Sequence, residues 1–534
     1  MSRTIIAAML AAVAVATYGK PSASEDRAAA LVSRARAALG TGLGHVKSLH
    51  LAGTFSTGDI SGTTESWIDL TNGRFAKYTK AGPMTRASGY DGRTAWRSDS
   101  KGISLPQTGP LAKAITASDI FDNAYELFNP DYGGARVSYL GTKSDAGKTY
   151  EAISAEPKGG CAEEVWFDPA SGLPARTIVD YGPRSTTIRL SGYSAVNGLM
   201  IPGEMTMTER WDFRDFYGHK QGDISRDSII KYTTVEANVR DLDSHFRMPS
   251  SPIRDVSLSG GETRIPFEMQ NFWILINVRL NGKGPFSMML DSGGGNVLSP
   301  SVAAEVGARE TGWAPQRSSI PGLRDLRFAR VDSVKIGGAT LTDQDFIVGH
   351  IGNIFTRDGM IGPELFERFV TTIDYASRQI ILRSPGTSPY TQSDTAGEVS
   401  LPLRSDDTKP EIACKVAGVD ASCIADTGAG VALILSGPFV KSNSSVQPPW
   451  YAGAYGRVLG SGGFSEVRYG PLGSFQIGPF TLTNVNTLFT TEGNGALDLY
   501  PSALVGNRIW RRFTVTFDFA HSALRLTPNA QFGG

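Results

Sequence analysis

One short plan occurs twice in the second half of this chain, and the repetition limits what the chain can fold into. The first copy is Phe286-Ser287-Met288-Met289-Leu290-Asp291-Ser292-Gly293, and the second is Ala421-Ser422-Cys423-Ile424-Ala425-Asp426-Thr427-Gly428. Each is a mostly apolar, strand-like run that ends in an acid, a hydroxyl residue and a glycine. A carboxylate at the end of a buried strand is costly unless something pairs with it. Two such ends in one chain imply that the acids meet. The repeat extends further. Met360-Ile361-Gly362 matches Leu504-Val505-Gly506, and Phe369 to Ala376 matches Phe513 to Ala520. The glycines Gly362 and Gly506, and the acids Asp374 and Asp518, are both 144 residues apart. Shared spacing over separate motifs marks a duplicated unit.

Each copy opens with an expected β-hairpin whose second strand runs into the acid. Leu275 to Leu280 leads through Asn281-Gly282 to Phe286–Leu290, and Glu411 to Val416 leads through Gly418 to Ala421–Ala425. The three cysteines are Cys161, Cys414 and Cys423. A tight turn at Gly418-Val419 would set Cys414 opposite Cys423, where a disulfide and two buried thiols are both admissible. Cys161 is left over.

At 534 residues the chain has room for about three domains. Hydrophobic residues make up 40% and charged residues 19%, which suits folded domains. Lys+Arg and Asp+Glu are equal at 52 each, so no basic excess points to nucleic acid. Arg3 followed by the apolar run Ile5 to Ala16 reads as a secretory signal within residues 1–24, with an uncleaved anchor as the alternative. No later stretch reaches the apolar length of a membrane-spanning helix, so no membrane span is expected after signal removal. The expected location is outside the cytoplasm, in the periplasm.

Residues 25–250 read as an antiparallel β domain with a few helices. A helix is expected over 26–39, where Leu31, Ala35 and Leu39 recur at four-residue spacing. Strands follow, with a hairpin at Thr71-Asn72-Gly73. A second helix is expected from Ser118, as its cap, to Phe128. With the stretch Trp166-Phe167-Asp168-Pro169-Ala170-Ser171-Gly172-Leu173-Pro174, this order resembles the bacterial outer-membrane lipoprotein-carrier fold. The resemblance implies a lipid or lipoprotein partner; a purely structural domain is the competing reading. Pro249 to Pro252 and Gly260-Gly261 place a linker at 251–262.

The paired acid and glycine motifs of residues 263–390 and 391–534 resemble the aspartic peptidases, in particular retropepsin-like bacterial members with two lobes in one chain. The fold class expected is mainly β: a bilobal, aspartic-peptidase-type β-barrel pseudo-dimer behind an antiparallel sheet domain. The resemblance implies an endopeptidase acting on a peptide or protein substrate. Asp291 and Asp426 would be catalytic, with Ser292, Gly293, Thr427 and Gly428 in support. Gly293 and Gly428 are expected at strained or positive φ. A flap would be carried by Gly460, Gly462 and Gly463 of copy two, or by Gly322 of copy one. A non-catalytic peptide- or lipoprotein-binding protein is the alternative.

Other chemistries find no pattern. The histidines His45, His50, His219, His245, His350 and His521 are scattered, without a zinc-peptidase spacing. There is no nucleophile elbow and no phosphate loop, so neither a metal nor a cofactor is expected. Family members with a hydroxyl residue directly after the Asp-hydroxyl-Gly triplet gain a further bond to the carboxylate, whereas Gly294 and Ala429 stand here. Activity is therefore expected at mildly acidic to neutral pH; a pH–rate profile peaking below about pH 3 would contradict this.

Overall fold

The computed structural model describes residues 23–180, 184–214, 220–250, 252–315, 325–349, 358–387, 397–448, 451, 456–460, 463–490 and 502–532. Apart from Ala23 and Ser24, the expected signal lies outside them. No helix among the described residues is long and apolar enough to cross a membrane.

The protein is mainly β, built from large sheets with few helices. The N-terminal half forms one 13-stranded antiparallel sheet. Ser48–Thr57 and Lys220–Ala237 pair at its middle, and meanders run outward from both. Helix Ala23–Leu39 presses Leu31, Val32, Ala35 and Leu39 onto this sheet, where Leu49, Ile153 and Phe167 complete a core. The four-residue spacing of the apolar positions is what turns them to one face.

The second helix differs from its expected bounds. It spans Pro110–Asn123, and Glu126–Phe128 is a separate 3-10 turn after Tyr125 at φ 53. Ser118 is interior, and its Oγ accepts the Cys161 N–H at 2.8 Å. The true start is set by Pro110 in the first turn and by Asp406, whose Oδ2 accepts the Leu111 N–H at 3.0 Å. A cap supplied from almost 300 residues away leaves no local signature.

In the second half, two sets of six strands follow one path. The first runs Trp273–Leu280, Lys283–Leu290, Gly359–Ile361, Val297–Leu298, Ala339–Val348, Asp325–Ile336. The second runs Lys409–Val416, Val419–Ala425, Ala503–Val505, Leu433–Leu435, Phe480–Thr490, Gly463–Ile477. In both, the last strand also pairs with the first. The copies join where Val370–Asp374 and Phe513–Asp518 pair antiparallel, with Thr372 opposite Thr516 and their hydroxyls 2.9 Å apart. Strand Val256–Leu258, within the expected linker, pairs with Ala339–Val348.

The second-copy hairpin turns one residue earlier than expected, at Ala417-Gly418, both at positive φ (47 and 84). Such a turn matches the strand twist. Cys414 therefore faces Ala421 and Cys423 faces Ile412. The two cysteines are diagonal neighbours rather than direct partners, and they form a disulfide with Cα atoms 6.0 Å apart. Cys161 is the free cysteine.

Charged groups bind the N-terminal sheet to the repeats. Arg368, 1% exposed, donates to Asp99 at 2.7 Å and to Asp255 at 2.6 Å, and Arg97 pairs with Glu367. Two carboxyls here have a raised proton affinity. Burial, reinforced by Glu367, pushes Glu364 up to about 7, and its Oε2 has no hydrogen-bond partner. Burial, with Glu411 nearby, likewise pushes Asp406 up to about 7. Both groups hold protons in the folded state that the unfolded chain releases near pH 4. Their contribution to stability is thus full below that pH and lost as pH rises through about 7. Unfolding by urea at pH 5 and pH 8 should show a loss of roughly 5 kcal/mol at the higher pH, much reduced in Asp406→Asn with Glu364→Gln.

Candidate active site

The first acid is positioned by a parallel pairing. Lys283–Leu290 runs beside Gly359–Ile361, and the Asp291 N–H donates to the Ile361 carbonyl at 2.9 Å. The second copy repeats this: Val419–Ala425 runs beside Ala503–Val505, and the Asp426 N–H donates to the Val505 carbonyl at 3.0 Å. The apolar-apolar-glycine motifs are therefore the strands behind the acids. Their glycines are needed for space. A Cβ on Gly362 would lie 2.6 Å from the Gly295 carbonyl carbon, and one on Gly506 would lie 2.4 Å from the Val431 carbonyl oxygen.

Ser292 and Thr427 lock the two loops together by crossed bonds. The Ser292 N–H donates to Thr427 Oγ1 and the Thr427 N–H donates to Ser292 Oγ, each at 3.0 Å. The hydroxyls then donate across the junction, Ser292 to the Ala425 carbonyl at 2.7 Å and Thr427 to the Leu290 carbonyl at 3.0 Å. Both residues are fully buried. Neither hydroxyl has a satisfied alternative if the loops part, so the junction is fixed in one geometry.

This junction sets the carboxyls within hydrogen-bonding reach of each other. The Gly293 N–H donates to Asp291 Oδ1 at 2.8 Å and the Gly428 N–H to Asp426 Oδ1 at 2.7 Å. Asp291 is buried and Asp426 is partly open. Neither glycine of the triplets has the expected positive φ. They are required by close approach instead: a Cβ on Gly428 would lie 2.3 Å from the Asp291 carboxyl carbon, and one on Gly293 would lie 3.0 Å from that of Asp426. Gly294 is closed too, since a Cβ there would lie 2.4 Å from Asp291 Oδ2. No side chain, hydroxyl or otherwise, fits that place without displacing the acid.

Burial raises the proton affinity of both acids, and the charge of Asp291 raises that of Asp426 further. Opposing this are the backbone N–H groups and the Lys409 ammonium.

Sequence reasoning missed three side chains. Asn296 Oδ1 accepts the Gly362 N–H at 2.8 Å, a task the Ala432 carbonyl performs for Gly506. Asn507 donates to the Thr427 carbonyl at 2.5 Å and to the Phe272 carbonyl at 2.8 Å, and accepts from Tyr375 at 2.7 Å. Lys409 Nζ donates to the Gly293 carbonyl at 3.3 Å. An asparagine directly after the second motif glycine was a usable signal for Asn507; Asn296 and Lys409 lie outside the matching motifs and gave none. Of the expected flap residues, Gly460 and Gly463 face each other at the end of the hairpin Gly456–Gly460 and Gly463–Ile477. Gly462 and Gly322 lie outside the described residues.

Residues 276–365 match the family model described as aspartyl protease. Among solved structures, the chain is similar to an aspartic proteinase from Irpex lacteus at 12% identity and a TM-score of 0.33, over 50% of this chain and 98% of that one. It is also similar to a LolA-superfamily protein from Nitrosomonas europaea at 16% identity and a TM-score of 0.27, over 41% of this chain and 97% of that one. A domain from Vibrio parahaemolyticus, described as an outer membrane lipoprotein-sorting protein, matches at 12% identity and a TM-score of 0.27, over 40% and 94%. Comparison with curated proteins gives no match.

The crossed lock gives a direct test. Thr427→Val strands the buried Ser292 N–H and Leu290 carbonyl, at roughly 1–3 kcal/mol each, whereas Thr427→Ser keeps both bonds. Denaturant unfolding should show Thr427→Val destabilised by about 2–5 kcal/mol, with Thr427→Ser close to the unmutated protein.

Proposed function

We propose that this protein is an aspartic endopeptidase that hydrolyses peptide bonds with a water activated by Asp291 and Asp426. The observation that carries the reading is the crossed Ser292–Thr427 lock, which holds two strand-end acids from repeated motifs against each other.

Two carboxyls at such range share one proton. Each acid accepts one loop N–H, Asp291 from Gly293 and Asp426 from Gly428, and these bonds favour a charge on the pair against the effect of burial. The ionised member of the pair takes a proton from the attacking water. The protonated member donates its own to the scissile carbonyl oxygen and stabilises the tetrahedral intermediate. The pair titrates as a unit. Activity needs its singly protonated form, so it falls at acid pH when the pair gains a second proton and at higher pH when it loses the last one. The raised affinities extend the working range toward neutral.

The remaining parts follow from the same reading. The hairpin bearing Gly460 and Gly463 covers the peptide as a flap. The protein acts in the periplasm, and the N-terminal sheet holds a lipid or lipoprotein. A cavity of about 680 Å³ between that sheet and the first repeat, lined by Phe55, Phe75, Met205, Met207 and Ile230, supplies apolar surface for it.

The test is a peptide-library assay across pH 3–8 with the unmutated protein and Asp426→Asn. The substitution should lower kcat/KM by about 10³-fold or more. Cleavage that survives it rules out the paired-acid mechanism. No cleavage by the unmutated protein at any pH leaves a peptide-binding protein as the better description.

A further inference from the structure

The N-terminal sheet reaches the acid pair through a turn that sequence reasoning passed over. Residues 407–408 connect strands Arg404–Asp406 and Lys409–Val416. The N-terminal half grips this turn from several sides. The Thr108 and Gly109 N–H groups both donate to the Ser405 carbonyl at 3.0 Å. The Leu111 N–H donates to Asp406 Oδ2 at 3.0 Å. Gln107 Oε1 accepts the Asp407 N–H at 2.7 Å, and Arg97 Nε donates to the Asp407 carbonyl at 2.5 Å. A Cβ on Gly109 would lie 2.6 Å from the Asp406 Cβ, so only glycine permits this approach.

Lys409 is the next strand residue after this clamped turn. Its Nζ donates to the Gly293 carbonyl at 3.3 Å, and the N–H of the same Gly293 donates to Asp291 Oδ1. A continuous set of bonds therefore runs from the N-terminal sheet, through the turn and Lys409, to the loop that carries Asp291. Charged groups face the ammonium from both sides. Asp406 and Asp407 belong to the turn, and Arg404 lies on the paired strand. Glu411, on the same strand as Lys409, is buried and bonded by the Ser422 hydroxyl at 2.8 Å. Asp291 and Asp426 lie on the other side, and the positive charge lowers the proton affinity of both, against the effect of burial.

We propose that Lys409 is a positioning residue for the acid pair: its ammonium, held against the Gly293 carbonyl by the clamp on residues 405–407, keeps one negative charge on Asp291 and Asp426. The N-terminal half is then a working part of the active centre as well as a candidate binding module. The catalytic consequence rests on the peptidase reading. The electrostatic content does not, and it is tested separately.

The experiment is a carboxyl-carbon NMR titration of the full chain labelled at aspartate, with the pair's signals assigned by Asp426→Asn. Lys409→Gln should move both ionisations of the pair upward by about half to one pH unit, because an opposing charge nearby shifts a carboxyl by that order or more. Lys409→Arg should restore them. Gln107→Ala, which loosens the clamp but keeps the lysine, should move them the same way by less. On a peptide that the unmutated protein cleaves, both limbs of the kcat/KM profile should follow, a change that mere loosening of structure does not produce. Ionisations that stay in place in a folded Lys409→Gln protein overturn the proposal. Should that variant not fold, unmoved ionisations in Gln107→Ala overturn it. Absence of cleavage by the unmutated protein counts against the peptidase reading alone, since the titration needs no substrate.

Discussion

Two carboxyls buried side by side repel, and both pay for leaving water, so something must hold them there. In this protein it is the pair of crossed bonds between Ser292 and Thr427. Each hydroxyl both accepts from and donates to the backbone of the opposite loop, so neither loop can shift alone. The strands behind the acids, the glycines that let backbone approach carboxylate, and the joined strands Val370–Asp374 and Phe513–Asp518 all serve this junction. A symmetric lock also explains why the chain repeats a plan: each half supplies what the other lacks.

The two copies are alike in path but not in detail. Copy one satisfies its motif glycine with the Asn296 side chain, and copy two does so with the Ala432 carbonyl. Asn507, fully buried, has no counterpart in copy one, where Pro363 follows the glycine. It ties Thr427 to Phe272 and Tyr375 of the other copy. These differences give the two acids different surroundings. Asp291 is buried and Asp426 is more open, and each accepts an N–H from its own loop. A duplicated scaffold thus becomes an asymmetric pair, as acid–base work requires.

The contacts between the N-terminal sheet and the repeats are of a different kind. They are rich in buried charge: Arg368 with Asp99 and Asp255, Arg97 with Glu367, and Glu364 with an oxygen left unbonded. Buried ion pairs add little net stability but penalise any other arrangement. An interface of this type fixes orientation more than it adds strength. That suits a clamp whose task is to hold one turn beside the acid loop.

By itself the sequence determined the acids, their hydroxyl and glycine neighbours, and the motif strands behind them, because a repeated motif needs the same residue types wherever it is read. It determined the helix Ala23–Leu39 because four-residue spacing is local. The tertiary structure alone decided the start of the helix at Pro110, since its cap comes from Asp406. It decided the diagonal pairing of Cys414 with Cys423, since register depends on which two residues turn. It also decided the roles of Asn296, Asn507 and Lys409. Each acts on a backbone group well away from it in sequence, and such partners exist only once the chain has closed.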